Sequence, residues 1–290
     1  MIPQAQAVSN YERALQRLDD QLSKDPGDVR DICKTRLLTH GYKTPKVIVL
    51  FHGLTNCPEQ MHRLADYFYQ EGSNVMLVRI PHHGNKNRLT EDLKNLTAEE
   101  LVSTSDQAID IATGLGDKVI VAGSSLGAVV TGWVAQNRGV YKAVLISPNF
   151  GIDHLTVLTK PVTSLLLLAP NLFLWWDPKL KANIAGADYF YPRYSTKALG
   201  QIMRLGFSLR SVANHNEPQT KLITVVTNGN DSAVDNKLTD KLVANWIANG
   251  VGVKTFEFTK DLKLSHDLID PDNMGQVKIV YPVLEQLIAQ

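Results

Sequence analysis

The run Gly123-Ser124-Ser125-Leu126-Gly127 carries the sharpest chemical possibility in the sequence. It sits between a strand-like stretch, Lys118 to Ala122, and a helical pattern that runs to about Gln136. A serine centred between two glycines at a strand-to-helix turn is pushed out at the carboxyl end of a sheet, where it can act as a nucleophile. The helix behind it aims backbone N–H groups and a positive dipole end at the reacting atom. A tight packing turn around a buried serine is the bland alternative. Ser124 is the neighbouring hydroxyl, but it is not centred between the glycines.

A serine hydroxyl that attacks a carbonyl needs N–H donors for the developing oxyanion. The run Val47 to Phe51 ends in His52-Gly53-Leu54, a loop in which the glycine lets the backbone turn. Leu54 from this loop and Leu126 after the nucleophile are the expected donors. His52 reads as a brace for that loop or as part of the pocket wall. The hydroxyl also needs a base, and the base an orienting acid. In the fold that carries a G-x-S-x-G nucleophile on such a turn, the chain order is Ser, then Asp or Glu, then His. Asp231 lies just past a strand-like run that ends at Thr227, and His266 is the only histidine after it. Asp231 could instead be a turn former or helix cap, a role that also suits Asp235. Asp153 is a second candidate acid. His82 and His83 are adjacent, but no carboxylate or cysteine stands at ligand spacing from them, so no metal or other cofactor is expected. They read as loop braces or, for His83, pocket wall.

These residues require a framework. Unbroken apolar runs such as Val47-Ile48-Val49-Leu50-Phe51 suit strands buried on both faces of a parallel sheet. Strands are expected over 33–39, 47–51, 74–80, 118–122, 143–147, 222–227 and 252–258. Helices are expected over about 11–22, 58–70, 98–112, 125–136, 235–248 and 273–288. Thr97 and Glu100 form a capping-box pattern. The alternation predicts an α/β fold with a mostly parallel central sheet and helices on both faces. It breaks between 150 and 218, where no strand is evident, and the break reads as a helical cap insertion. The expected organisation is an N-terminal helix and first strand over 1–44, a core over 45–149 and 219–290, and the cap over 150–218. Within the cap, Leu165 to Leu168, Phe173, Trp175 and Trp176 either pack it onto the core or line an apolar pocket.

With 290 residues, net charge +1 and no run of like charge, the chain shows no electrostatic pull toward nucleic acid. The most apolar stretch, Val162 to Trp176, is interrupted by Pro170 and is shorter than the roughly 20 residues a membrane span needs, so no stable insertion is expected. The first residues lack a signal peptide's basic start and apolar core, although Ala5-Gln6-Ala7 would fit the remnant of a cleavage site. The two cysteines, Cys33 and Cys57, are either unrelated thiols or one disulfide tying the N-terminal segment to the loop after the first core strand. The second reading would imply an exported protein.

Taken together, Val47 to Leu54, Arg79 to Gly84, Gly123 to Gly127, Asp231 to Val234 and Ser265-His266 resemble carboxylesterases and monoacylglycerol lipases of the α/β-hydrolase superfamily. The similarity spans roughly residues 45 to 150 and 220 to 290. It implies Ser125 as nucleophile, Asp231 as acid, His266 as base, Leu54 and Leu126 as oxyanion-hole amides, and a cap that sets substrate choice. The expected reaction is hydrolysis of a small ester, with an apolar acyl chain, through an acyl-enzyme. Superfamily members that cleave amides, thioesters or carbon–carbon bonds, and relatives that only bind ligands, share the same framework. His52-Gly53 is followed by Leu54-Thr55, where many lipases have a further glycine.

Overall fold

The computed structural model describes residues 5–181, 184, 186–269 and 276–290. Helix α1 (Tyr11–Leu22) is capped by the Asn10 side chain and leads to a short strand, β1 (Arg36–Leu38). Then come β2 (Thr44–Phe51), α2 (His62–Gln70), β3 (Asn74–Val78), α3 (Ala98–Leu115), β4 (Gly116–Ser124), α4 (Leu126–Asn137) and β5 (Lys142–Ile146). The insertion contains α5 (Thr159–Leu168), β6 (Phe173–Trp175), β7 (Arg193–Ser195) and α6 (Thr196–Ala213). The chain closes with β8 (Leu222–Asn228), α7 (Asn236–Ala248), β9 (Val253–Phe258) and α8 (Val277–Ala289).

Seven strands form one sheet in the order β1-β3-β2-β4-β5-β8-β9. β1 runs antiparallel and every other pairing is parallel. Period-two alternation sorts the strand residues onto two cores. Val47, Val49, Phe51, Val119, Val121 and Leu145 face the side covered by α1, α3, α4, α6 and α7. Ile48, Leu50, Ile120, Ala122, Val144 and Ile146 face α2 and α8. This is the expected mostly parallel α/β architecture. The capping box at Thr97 and Glu100 is formed as well.

Three expectations change. The strand placed over 33–39 shrinks to β1, because Cys33 sits in a 3-10 turn and is joined to Cys57 in a disulfide. The cysteines are therefore not separate thiols. Residues 150–218 do contain strands, since β6 and β7 pair antiparallel as a small second sheet. Both are only three residues long, too short to show a period in the sequence. The helix following the nucleophile, like most others, matches within a few residues, but the last expected helix starts at Asn273, which lies outside the described residues. Helix α6, inside the same interval, buries Ala198, Ile202, Leu205 and Leu209 in the main core. Among the described residues, no helix is long and apolar enough to cross a membrane.

Candidate active site

Ser125 occupies the turn between β4 and α4 with φ 56° and ψ −111°, a conformation that side chains rarely adopt. Glycine makes the turn possible. A Cβ at Gly123 would lie 2.3 Å from the Gly127 carbonyl oxygen, and one at Gly127 would lie 2.1 Å from that of Phe51. The strained backbone is pinned from outside, as Ser125 N–H donates to Ile146 O at 2.9 Å and Asn149 N–H donates to Ser125 O at 3.2 Å. Strain held this way by the surrounding structure is characteristic of functional positions.

Asp231 and His266 converge on this serine from the loops after β8 and β9. Asp231 Oδ1 accepts from the N–H groups of Ala233 and Val234, which leaves Oδ2 to meet His266 Nδ1 at 2.7 Å. His266 Nε2 lies 2.9 Å from Ser125 Oγ. Burial pushes the His266 pKa down, but the hydrogen bond and charge of Asp231, helped by the charge of Asp267, outweigh it and raise the pKa above its ordinary value. A ring so placed can take the Ser125 proton while the buried carboxylate steadies the resulting imidazolium. Asp153 is not involved: it pairs with the exposed His154. Asp235 caps α7 through Lys237 N–H.

The loop from His52 to Asn56 is held by side chains from several elements. His52 Nδ1 bonds to Gly53 O at 2.8 Å, and His52 Nε2 accepts from Ile80 N–H at 3.1 Å. The Gly53 carbonyl and the Leu54 N–H belong to one planar peptide and point in opposite directions. Fixing the first therefore aims the second. Gly53 N–H donates to Gln60 Oε1 at 2.8 Å, and Leu54 O faces His83 Nε2 at 2.5 Å. Thr55 O accepts from Tyr191 N–H at 2.8 Å. Among the described residues, the N–H groups of Leu54 and Leu126 meet no acceptor. Burial, reinforced by the neighbouring His83, pushes the His52 pKa well below its ordinary value. Burial likewise lowers that of His83 to about 4, against the pull of the two carbonyl oxygens it faces.

A cavity of 540 Å³ opens over Ser125. Leu54, Trp176, Phe190 and Ala233 supply apolar wall, while Asn56, Gln60 and Asp267 supply polar wall. Trp176 is fixed by its indole N–H, which donates to Thr55 Oγ1 at 2.9 Å, and by its ring packing on Tyr194. Of the four wall residues expected from sequence, only Trp176 lines the cavity. His52 and His83 lie behind the 52–56 loop as braces, and Trp175 belongs to the β6–β7 ladder, paired with Arg193. His82 stands apart, its ring nitrogens 3.0 Å from an Asp92 oxygen and 3.1 Å from a Glu100 oxygen. Thr55, Asn56, Gln60, Phe190 and Asp267 were missed. Only Asp267 had a signal, as a carboxylate next to the expected base. A larger hollow of 660 Å³ between α1 and α3 is lined by polar residues such as Arg17, Lys24 and Glu99 and shares no lining residue with the cavity over Ser125.

The serine aminopeptidase S33 family matches residues 42–269. A thermostable monoacylglycerol lipase from Bacillus sp. (strain H-257) is 27% identical over 94 residues, which are 32% of this chain and 36% of that protein. This alignment thus spans about a third of the relative's length. The structure of Paleococcus ferrophilus monoacylglycerol lipase superposes with a TM-score of 0.64 at 18% identity, covering 88% of this chain and 98% of that one. A structure reported for metagenome-derived lipolytic enzymes gives a TM-score of 0.61 at 18% identity, covering 90% and 100%. At such identities the superpositions speak for the fold, whereas the family match covers most of the chain. The protein belongs to the serine aminopeptidase S33 family of α/β-hydrolases.

Proposed function

We propose that the protein hydrolyses carboxylic esters, with Ser125 as nucleophile, His266 as general base and then acid, and Asp231 as the orienting carboxylate. His266 takes the hydroxyl proton as Ser125 Oγ bonds to the ester carbonyl carbon. The carbonyl oxygen becomes an oxyanion held by the N–H groups of Leu54 and Leu126. Collapse breaks the bond to the alkoxy oxygen, which leaves as alcohol with the proton from His266. Water, deprotonated by the same ring, then attacks the acyl-enzyme and frees the acid and Ser125.

The observation that carries this reading is the unbroken chain from Asp231 Oδ2 through His266 to Ser125 Oγ, at 2.7 and 2.9 Å. The lipase names of the relatives favour an ester, and the Leu54, Trp176 and Phe190 wall favours an apolar acyl chain. Cleavage of an amide is the second reading, favoured by the aminopeptidase name of the family. The test is p-nitrophenol release from acetyl to octanoyl esters, with aminoacyl p-nitroanilides alongside. Turnover of butyryl to octanoyl esters should exceed that of acetyl, and Ser125→Ala should lose roughly a thousandfold or more. Faster cleavage of anilides than of esters would move the function to amides. An active Ser125→Ala would remove Ser125 as the nucleophile.

A further inference from the structure

Asp267 follows the base in the chain, yet its carboxylate turns away toward the oxyanion-side loop. Asp267 Oδ1 accepts from Gln60 Nε2 at 2.8 Å, and Oδ2 accepts from Asn56 Nδ2 at 3.1 Å. A carboxylate can only accept, so both amides must present their NH₂ groups to it. With its NH₂ committed, the buried Gln60 offers Oε1 to the opposite side, where Gly53 N–H donates at 2.8 Å. Chemistry therefore fixes the direction of every bond in the relay.

We propose that Asp267 and Gln60 form a clasp that sets the distance between the base loop and the oxyanion loop, Asp267 being a positioning residue for the reaction. This rests on the ester-hydrolase reading of the same site. The two loops come from opposite sides of β4: Asp267 follows β9, at one edge of the sheet, whereas Gly53 follows β2, the neighbour of β4 on the other side. Ser125 stands between them. Without a bridge, the base and the oxyanion amides would be set independently against the nucleophile, and small misplacements cost large factors in rate. The clasp ties Gly53 N–H, one peptide before the Leu54 amide, to the residue after His266. Its charge has a second effect, since Asp267, like Asp231, favours the imidazolium form of His266.

The test compares Asp267→Ala, Asp267→Asn, Gln60→Ala and the Asp267→Ala/Gln60→Ala double variant. Each is read by kcat and KM on p-nitrophenyl butyrate, by the rate of Ser125 labelling with a fluorophosphonate, and by the thermal unfolding midpoint. Asp267→Ala should lower kcat and the labelling rate together by about ten- to a hundredfold, with KM changed less than about twofold. Asp267→Asn should recover most of this loss, because the new amide still accepts from Gln60 and can donate to Asn56 once the latter turns over. It should also move the acid limb of kcat/KM to lower pH, since His266 then faces only the Asp231 carboxylate. The double variant should be no slower than the worse single variant. If removal of the buried Gln60 prevents folding, the Ala-to-Asn comparison at half-buried Asp267 decides alone. The clasp is overturned if kcat is unchanged while KM rises, if the two losses multiply, or if Asp267→Asn is as impaired as Asp267→Ala. A wild type that is labelled but cleaves no ester would defeat the ester reading, while the labelling ratios would still decide the clasp.

Discussion

The loop over 52–57 and the segment over 156–176 both border the cavity at Ser125, and they are built on opposite principles. The first is buried and held at several backbone groups, with His52, Gln60 and His83 each holding a carbonyl or N–H. The disulfide from Cys57 to Cys33 closes its far end. The second leaves large apolar side chains in solvent, with Val157 at 92% and Leu168 at 86% exposure. Chemistry that depends on the placement of an N–H tolerates no slack, whereas a wall that only has to exclude water and accept a chain does. Machinery and selection should therefore respond differently to mutation.

The largest difference is expected at His83. His83→Phe keeps a ring of similar volume but removes the group facing Leu54 O. It should lower kcat on acetyl and octanoyl esters alike, by about ten- to a hundredfold, because it disturbs the oxyanion amide and not the acyl wall. A loss confined to long esters would break the comparison. The same variant tests stability against pH. Folded His83 titrates near 4, below its ordinary 6.5, so the unfolded chain binds the proton more readily. The neutral ring's contribution is thus full above pH 6.5 and is lost as pH falls toward 4, roughly 3 kcal/mol in all. His83→Phe should flatten the fall in unfolding midpoint between pH 7 and 4.5.

The same contrast explains what could be read in advance. Gly123, Ser125 and Gly127 were legible because a turn that brings backbone oxygens within 2.3 Å of a would-be Cβ admits only glycine at its ends. Asp231 and His266 were legible because chain order and strand ends leave few other choices, and the two-sided cores show plainly as unbroken apolar runs. The Gln60–Asp267 bond was not legible, because it joins residues 207 apart with no spacing rule between an amide and a carboxylate. Nor could Trp176 be separated from Trp175. The two are adjacent, and which one enters the cavity is decided by the three-residue ladder of β6 and β7, too short to leave a period in the sequence. The cysteines stayed ambiguous because pairing depends on how near the fold brings them, and their Cα atoms lie 5.2 Å apart.

A smaller effect is expected at Trp176, where the insertion touches the machinery. Its indole N–H holds Thr55 Oγ1, one residue beyond the Leu54 amide, and its ring lines the cavity. If the ring serves selection, Trp176→Ala should raise KM for octanoyl esters several-fold and change kcat on acetyl esters by less than about threefold. If the hydrogen bond to Thr55 matters more, kcat should fall on every ester and Trp176→His, which can keep a ring N–H, should restore part of it. The second outcome would extend the rigid region one residue into the insertion and redraw the boundary between the two.

The smallest effect is expected on α5. Leu165 and Leu168 project into solvent rather than toward Ser125, while Leu166 and Leu167 pack near Gly200 of α6. An exposed leucine gives up little by becoming polar, and surface substitutions of this kind usually change stability by no more than about 0.5 kcal/mol. Leu168→Ser should therefore leave the unfolding midpoint and the turnover of dissolved p-nitrophenyl butyrate unchanged within about twofold. Leu167→Ser, whose side chain is half-buried against α6, should lower the unfolding midpoint without altering the acyl-chain profile. A change in that profile in Leu168→Ser would mean that α5 meets the acyl chain during turnover, and selection would then extend from Trp176 to α5.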